Sequence, residues 1–231
     1  MAPRQINLFN DDHQPEELTP ESATKADPAA KPIVLGVRDG NAYEEIKEYY
    51  HLEQKALACS KCRLRQGCQQ VVFGCGNIKA SLMFIGEGPG QEEDLQGKPF
   101  VGKAGQLLNK IFAAAEIKRE DVYITNVVKC RPPQNRIPKP DETRICRSYL
   151  EAQIRLIDPR IIVCLGALAC QTIIDPQARI SVVRGQWYMK RNIKIMATYH
   201  PAALLRNEDF KKPAWEDFKM IRNAYQKCIN P

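Results

Sequence analysis

Two pairs of cysteines, far apart in the chain, constrain its fold more than any other feature. Cys59 and Cys62 lie in CSKC, and Cys130 and Cys146 follow in VKCRPP and TRICRSY, which gives C-x2-C, a gap of 67 residues and C-x15-C. A metal centre held by all four would clamp two distant segments together. The second pair brackets RPPQNRIPKPDET, rich in Arg, Lys and Pro, so the pattern implies a metal-anchored basic loop of the kind that meets nucleic acid. Cys164 and Cys170 sit in the apolar run IIVCLGALAC and read as small buried hydrophobes. Cys68, Cys75 and Cys228 carry no assignment, and Cys68 and Cys75 lie near enough to CSKC to compete as ligands.

A chain of 231 residues has room for one sizeable domain and a tail. Nine cysteines are an odd count, and no apolar signal segment follows MAPRQINLFNDDHQPEE, so the thiols are expected in a reducing cytoplasm. No run approaches the roughly 18 consecutive apolar residues of a membrane span; a soluble protein, acting as a monomer, is the expectation. The formal net charge is +7, and residues 1–40 hold four basic side chains against seven acidic ones, a local −3 that leaves +10 on the remainder. A globular part this basic attracts polyanions, because each neutralised phosphate releases counterions.

Residues 10–32 are polar, rich in Pro and Glu, and bury too little to offset the entropy of ordering, which predicts a flexible linker. The expected organisation is a tail over 1–40 and a globular domain over 41–231. AYEEIKEYYHLEQKALA has helical spacing and runs into Cys59. SLMFIG, VYITNVV, IIVCLG and IKIMATY are strand-like, and they alternate with the helical stretches GKAGQLLNKIFAAAEI, ETRICRSYLEAQIRLI, ALACQTII and PAWEDFKMIRNAYQKCI. This alternation predicts an α/β fold, a three-layer α/β/α sandwich around a mostly parallel central sheet. In such sheets functional groups collect at the carboxyl ends of the strands, where GEGPGQEED, Asn126 and YHPAALLR fall. GEGPG alone is a weak signal. It lacks the last glycine of a dinucleotide fingerprint and the Lys-Ser/Thr of a phosphate loop.

Taken together, GEGPGQEED, GKPFVGKAGQLL, TNVVKCRPP and YHPAALLR, in this order and with the four cysteines, closely resemble the family 4, iron-sulfur uracil-DNA glycosylases over about Cys59 to Arg206. Spacing leaves zinc and iron-sulfur open; the resemblance implies a structural [4Fe-4S] cluster on Cys59, Cys62, Cys130 and Cys146. It also implies hydrolysis of the bond between uracil and deoxyribose, on a base extruded from the stack. Phe100 matches the aromatic that stacks on the base, beside Gly88, and Asn126 matches the amide that pairs with the uracil edge. His200 matches the histidine that stabilises charge on the leaving base. Glu87 and Glu93 are the acids that could orient water or offset charge on the sugar, although related families place an Asp where this chain has Gly88. Leu204, Leu205 and Arg206 match the DNA-probing segment, and Arg131, with Arg136 and Lys139, would meet phosphates.

Some relatives crosslink to the abasic sugar through a His in an inserted basic loop. Residues 131–140 hold no His, so turnover is expected. QINLF, residues 5–9, resembles the peptide that docks repair proteins on the bacterial sliding clamp, with Gln5 hydrogen-bonding and Leu8 and Phe9 filling a pocket. Two rivals stand beside the glycosylase. One is an iron-sulfur nucleic-acid-binding or redox-sensing module without catalysis, and the other a zinc-stabilised nucleotide-binding protein.

Overall fold

The computed structural model describes residues 43–229, so the linker and the QINLF peptide with Gln5, Leu8 and Phe9 lie outside the described residues. The chain opens with helices α1 (Tyr49–Leu57) and α2 (Leu64–Gly67), then strands β1 (Cys75–Gly76) and β2 (Leu82–Gly86), then helices α3 (Gln91–Gln96) and α4 (Lys103–Ala114). Strand β3 (Tyr123–Asn126), helix α5 (Pro140–Ile157), strand β4 (Ile161–Leu165) and helices α6 (Ala167–Ile173) and α7 (Ile180–Val183) follow. A hairpin of β5 (Trp187–Lys190) and β6 (Ile193–Thr198) leads to α8 (Pro201–Arg206) and α9 (Lys211–Ile229).

The strands form one six-stranded sheet in the order β1-β3-β2-β4-β6-β5. Its four inner strands are parallel, and the two edges, β1 and β5, run antiparallel to their neighbours. LMFIG and IIVCL are buried at every position, as strands covered on both faces must be. Successive side chains point to opposite faces. Met83, Ile85, Ile162 and Cys164 pack with Leu150 of α5 and Ala169 of α6, whereas Leu82, Phe84, Ile161 and Val163 pack with Leu108 of α4 and Phe218 of α9. Two apolar cores on either side of one sheet make the expected three layers.

The sequence pattern misses both edge strands. β1 has two residues, and β5 is half-exposed, so neither carries a run of buried side chains. Helix α1 also starts later than its pattern, at Tyr49 instead of Ala42. Arg155 explains the delay: its guanidinium donates to the carbonyls of Tyr43 (2.9 Å) and Ile46 (2.8 Å), and Tyr43 stacks on Tyr149 with ring centroids 4.5 Å apart. These tertiary contacts hold a turn where local spacing favours helix. Among the described residues no helix is long and apolar enough to cross a membrane.

Candidate active site

Gly86 and Asn126 end two adjacent parallel strands and are register partners. A Cβ at Gly86 would collide with Asn126 Oδ1 and come within 2.6 Å of the Phe100 ring, so only glycine lets the amide and the ring close over this strand end. Asn126 is buried, and its Oδ1 accepts no hydrogen bond from any described group. An acceptor left unpaired in the interior costs about 1–3 kcal/mol. The chain carries that cost at the point where the sequence places base recognition.

Phe100 is 5% exposed and has φ +53°, a conformation uncommon for an aromatic residue. Glu93 secures this turn. Its Oε1 accepts from the backbone N–H groups of Val101 (2.9 Å) and Gly102 (2.8 Å), and its Oε2 from that of Gly90 (3.1 Å). Both carboxylate oxygens are thus committed to main chain at the start of α3 and the turn after Phe100.

His200 caps α8, its Nδ1 accepting from the N–H of Ala202 at 3.1 Å. The neutral ring must then carry its proton on Nε2. Burial, assisted by the charge of Arg206, pushes its pKa down to about 4. The imidazole centroid lies 5.4 Å from that of Phe100. Upstream, Thr198 at the end of β6 donates to Asp217 Oδ2 (2.6 Å), and Arg184 pairs with the same carboxylate (2.5 Å) and lies over the Tyr199 ring, fixing the strand that delivers His200. Glu87 follows Gly86 directly and is half-buried; burial raises its pKa, with Arg206 pulling it back. Gly88 rests on Val128, whose Cγ2 a Cβ would approach to 2.8 Å.

The loop from Arg131 to Lys139 lies against Gly88 through Pro132 and Pro138. Its anchor is Glu142, fully buried, which accepts from both terminal nitrogens of Arg136 (2.8 and 2.7 Å), from the N–H of Lys139 (2.7 Å) and from Arg63 Nε (3.1 Å). The Arg136 side chain holds Glu142's pKa down at about 2. Arg136 is therefore spent on the loop's own anchor, while Arg131 is half-buried and donates to Asn135 Oδ1 at 2.8 Å. The expected DNA-probing leucines divide. Leu204 is 1% exposed and belongs to the core, a correction to its expected role, because α8 packs against α4 and turns this side chain into the apolar cluster that includes Leu108; Leu205 is 51% exposed, and Arg206 is exposed beside it.

Cys59, Cys62, Cys130 and Cys146 line one pocket, walled by Leu64, Val71, Ile145 and Tyr149. The N–H of Lys129 points at Cys146 Sγ, 3.3 Å away. Burial pushes the Cys146 thiol up to about 11 and raises Cys130 as well. Among the described residues no three His, Cys, Asp or Glu side chains cluster closely enough to hold a single metal ion. Cys68 lies beside Cys130, with its thiol directed at the carbonyl of Arg65 (3.7 Å), and Cys75 sits on the edge strand β1.

Sequence reasoning missed Glu142, Arg63, Asp217 and Lys129. Glu142 could have been found, since Lys139, Pro140 and Glu142 form a helix-start pattern with proline at the first turn and an acid that reaches back. Arg63 and Asp217 are single charged residues whose partners lie elsewhere in the chain, and Lys129 joins two near neighbours to the distant Gln153.

The Phe100 ring, the Asn126 amide and the His200 imidazole thus lie close together at the ends of the parallel strands. Residues 73–219 match the model of the uracil DNA glycosylase superfamily. The chain is 44% identical over 176 residues to the type-4 uracil-DNA glycosylase of Archaeoglobus fulgidus, covering 73% of this chain and 88% of that one. It is 42% identical to the type-4 enzyme of Thermotoga maritima, covering 80% and 97%, and 44% identical to that of Sulfurisphaera tokodaii, covering 74% and 82%. The chain belongs to the type-4 uracil-DNA glycosylase family.

Proposed function

We propose that this chain hydrolyses the N-glycosidic bond of deoxyuridine in DNA, releasing uracil and leaving an abasic site, the first step of base excision repair. The observation that carries the reading is the unpaired, buried Oδ1 of Asn126 beside Phe100 and His200. Uracil offers a donor at N3 and an acceptor at O4, which an amide can meet with its oxygen and nitrogen. Cytosine offers the reverse, so a site built around this amide rejects it. Phe100 supplies a face for the flipped base to stack on.

His200, protonated on Nε2, donates to uracil O2 as negative charge develops there; a neutral donor already in place needs no reorganisation. Glu87 faces the cation-like sugar and orients the attacking water, its charge balanced by Arg206. Glu93, whose two oxygens hold main chain, acts by fixing the turn that presents Phe100. Gly88, having no Cβ, lets the turn beside the base close against Val128. Leu205 fills the gap left by the extruded base, while Arg206 and Arg131 meet phosphates.

Cys59, Cys62, Cys130 and Cys146 would hold a [4Fe-4S] cluster, which supplies a structural clamp between the segment before Arg63 and the basic loop. Four thiols lining one pocket fit a four-cysteine metal centre, and the likeness to the type-4 enzymes favours the cluster over zinc. We place the enzyme in the cytoplasm as a monomer, with QINLF as a tether to the sliding clamp. Deleting residues 1–9 should abolish clamp capture in a pull-down and leave excision intact. With no His between Arg131 and Pro140, the product is released, and a denaturing gel should show no protein-DNA adduct.

The reading is tested by incubating the protein with single-stranded and U·G oligonucleotides. Alkali-labile breaks at uracil, lost in Asn126→Asp and His200→Ala, are expected; DNA binding without breaks would favour the non-catalytic module.

A further inference from the structure

The end of β3 carries the amide assigned above to uracil, and a second residue holds that end in place. Lys129 is 2% exposed, and its ammonium donates to Thr125 Oγ1 (2.6 Å), the Asn126 carbonyl (2.7 Å) and Gln153 Oε1 (2.6 Å). All three of its donors are used, and no carboxylate is among the acceptors. A buried amino group that must find three acceptors is an unfavourable way to fill a core, and a methionine would occupy similar volume without that cost.

The acceptors are themselves fixed. Thr125 Oγ1 donates to the Phe73 carbonyl (2.8 Å), and Gln153 Nε2 donates to the same carbonyl and to Tyr123 Oη (both 2.9 Å). Tyr123 in turn bonds Tyr49 of α1 at 2.8 Å. The main chain of Lys129 reaches the other way: its N–H points at Cys146 Sγ (3.3 Å), and its carbonyl accepts from Val72 N–H (2.7 Å). One residue therefore grips the Asn126 peptide with its side chain and the wall of the sulfur pocket with its backbone.

We propose that Lys129 is a positioning residue for base recognition: its ammonium fixes the Asn126 peptide where the β3 ladder ends, aiming the amide, and ties that aim to the Cys130–Cys146 segment. The proposal rests on Asn126 reading uracil. Its test is a double-mutant cycle in the full chain, with Lys129→Met, Asn126→Ala and the pair. Single-turnover excision from a U·G duplex and iron per chain are both measured.

Lys129→Met should lower the excision rate between about 3- and 100-fold, the range of coupling between neighbouring groups, and lose that effect on the Asn126→Ala background. Iron content should match the parent. An equal fold-loss in both backgrounds, or iron lost together with activity, would overturn the proposal, since Lys129 would then act generally or on the sulfur site alone. If Asn126→Ala excises at the parent rate, the reading of Asn126 is at fault, and that is visible before Lys129 is altered. If Lys129→Met does not fold, Gln153→Met removes one of the three acceptors and carries the same cycle, with a smaller loss expected.

Discussion

The base pocket and the sulfur pocket meet within a few residues of chain, at Asn126 and Cys130, and are built by opposite means. The base pocket is finished before any ligand arrives. Parallel strand ends set its groups, Glu93 locks the Phe100 turn, and His200 is held in one tautomer by Ala202. It stores its cost as an unpaired amide oxygen and an aromatic residue at positive φ. The sulfur pocket is walled largely by apolar side chains, and burial raises the pKa of Cys130 and Cys146, so a metal bound there would have to displace their protons. The difference separates a site preorganised for a transient ligand from one that a permanent ligand completes.

The largest expected effect breaks the base pocket alone. Asn126→Asp should cut uracil excision by about 10³-fold or more, because a buried carboxylate is mispaired with the O4 edge, while iron content stays at the parent level. A parallel loss of iron would show that the two pockets are not separable. His200→Ala comes next, at about 10²–10³-fold in rate, the scale of losing one preorganised donor.

The pH profile sharpens the same point. With a folded pKa of about 4 against an ordinary 6.5, His200 stays neutral as pH falls through 6.5, when the unfolded chain would already protonate it. Its contribution to stability therefore declines between about pH 6.5 and 4, but its form in the folded enzyme does not change until near 4. Its own titration should leave the single-turnover rate unchanged between pH 7 and 5; a loss with a midpoint near 6.5 that moves with His200 substitution would contradict the assigned tautomer.

A smaller effect probes the link between the pockets. Glu142→Gln removes the charge that Arg136 and Arg63 share, and because both arginines are partly exposed it should lower the midpoint of thermal or denaturant unfolding only modestly. Because Glu142 is held at about 2, its stabilisation is present above about pH 4.5 and disappears as pH falls toward 2, so parent and variant should converge in acid. The smallest expected change is Leu205→Ala, a few-fold loss on duplex and little on single strands, where no gap has to be filled.

Much of this was legible in the sequence. Strands β2 and β4 carry uninterrupted apolar runs, and burial on both faces is what such runs mean. Phe100, Asn126 and His200 lie near one another, and the four cysteines line one pocket; both groupings are legible through the resemblance of their motifs to a family. Other features depend on distant partners. Leu204 and Leu205 look alike in sequence, and only the packing of α8 against α4 separates core from surface. Helix α1 is shortened by Arg155, more than a hundred positions further along the chain. Lys129 reads as one more basic residue beside a cysteine until its three acceptors are seen.

The central claim is tested most directly by excision from oligonucleotides bearing a single uracil, using anaerobically purified, iron-loaded protein. The account predicts alkali-sensitive breaks at uracil and not at cytosine in the same context, lost in Asn126→Asp while the protein remains brown. Iron-loaded, folded protein that binds the same DNA and leaves uracil in place would contradict it.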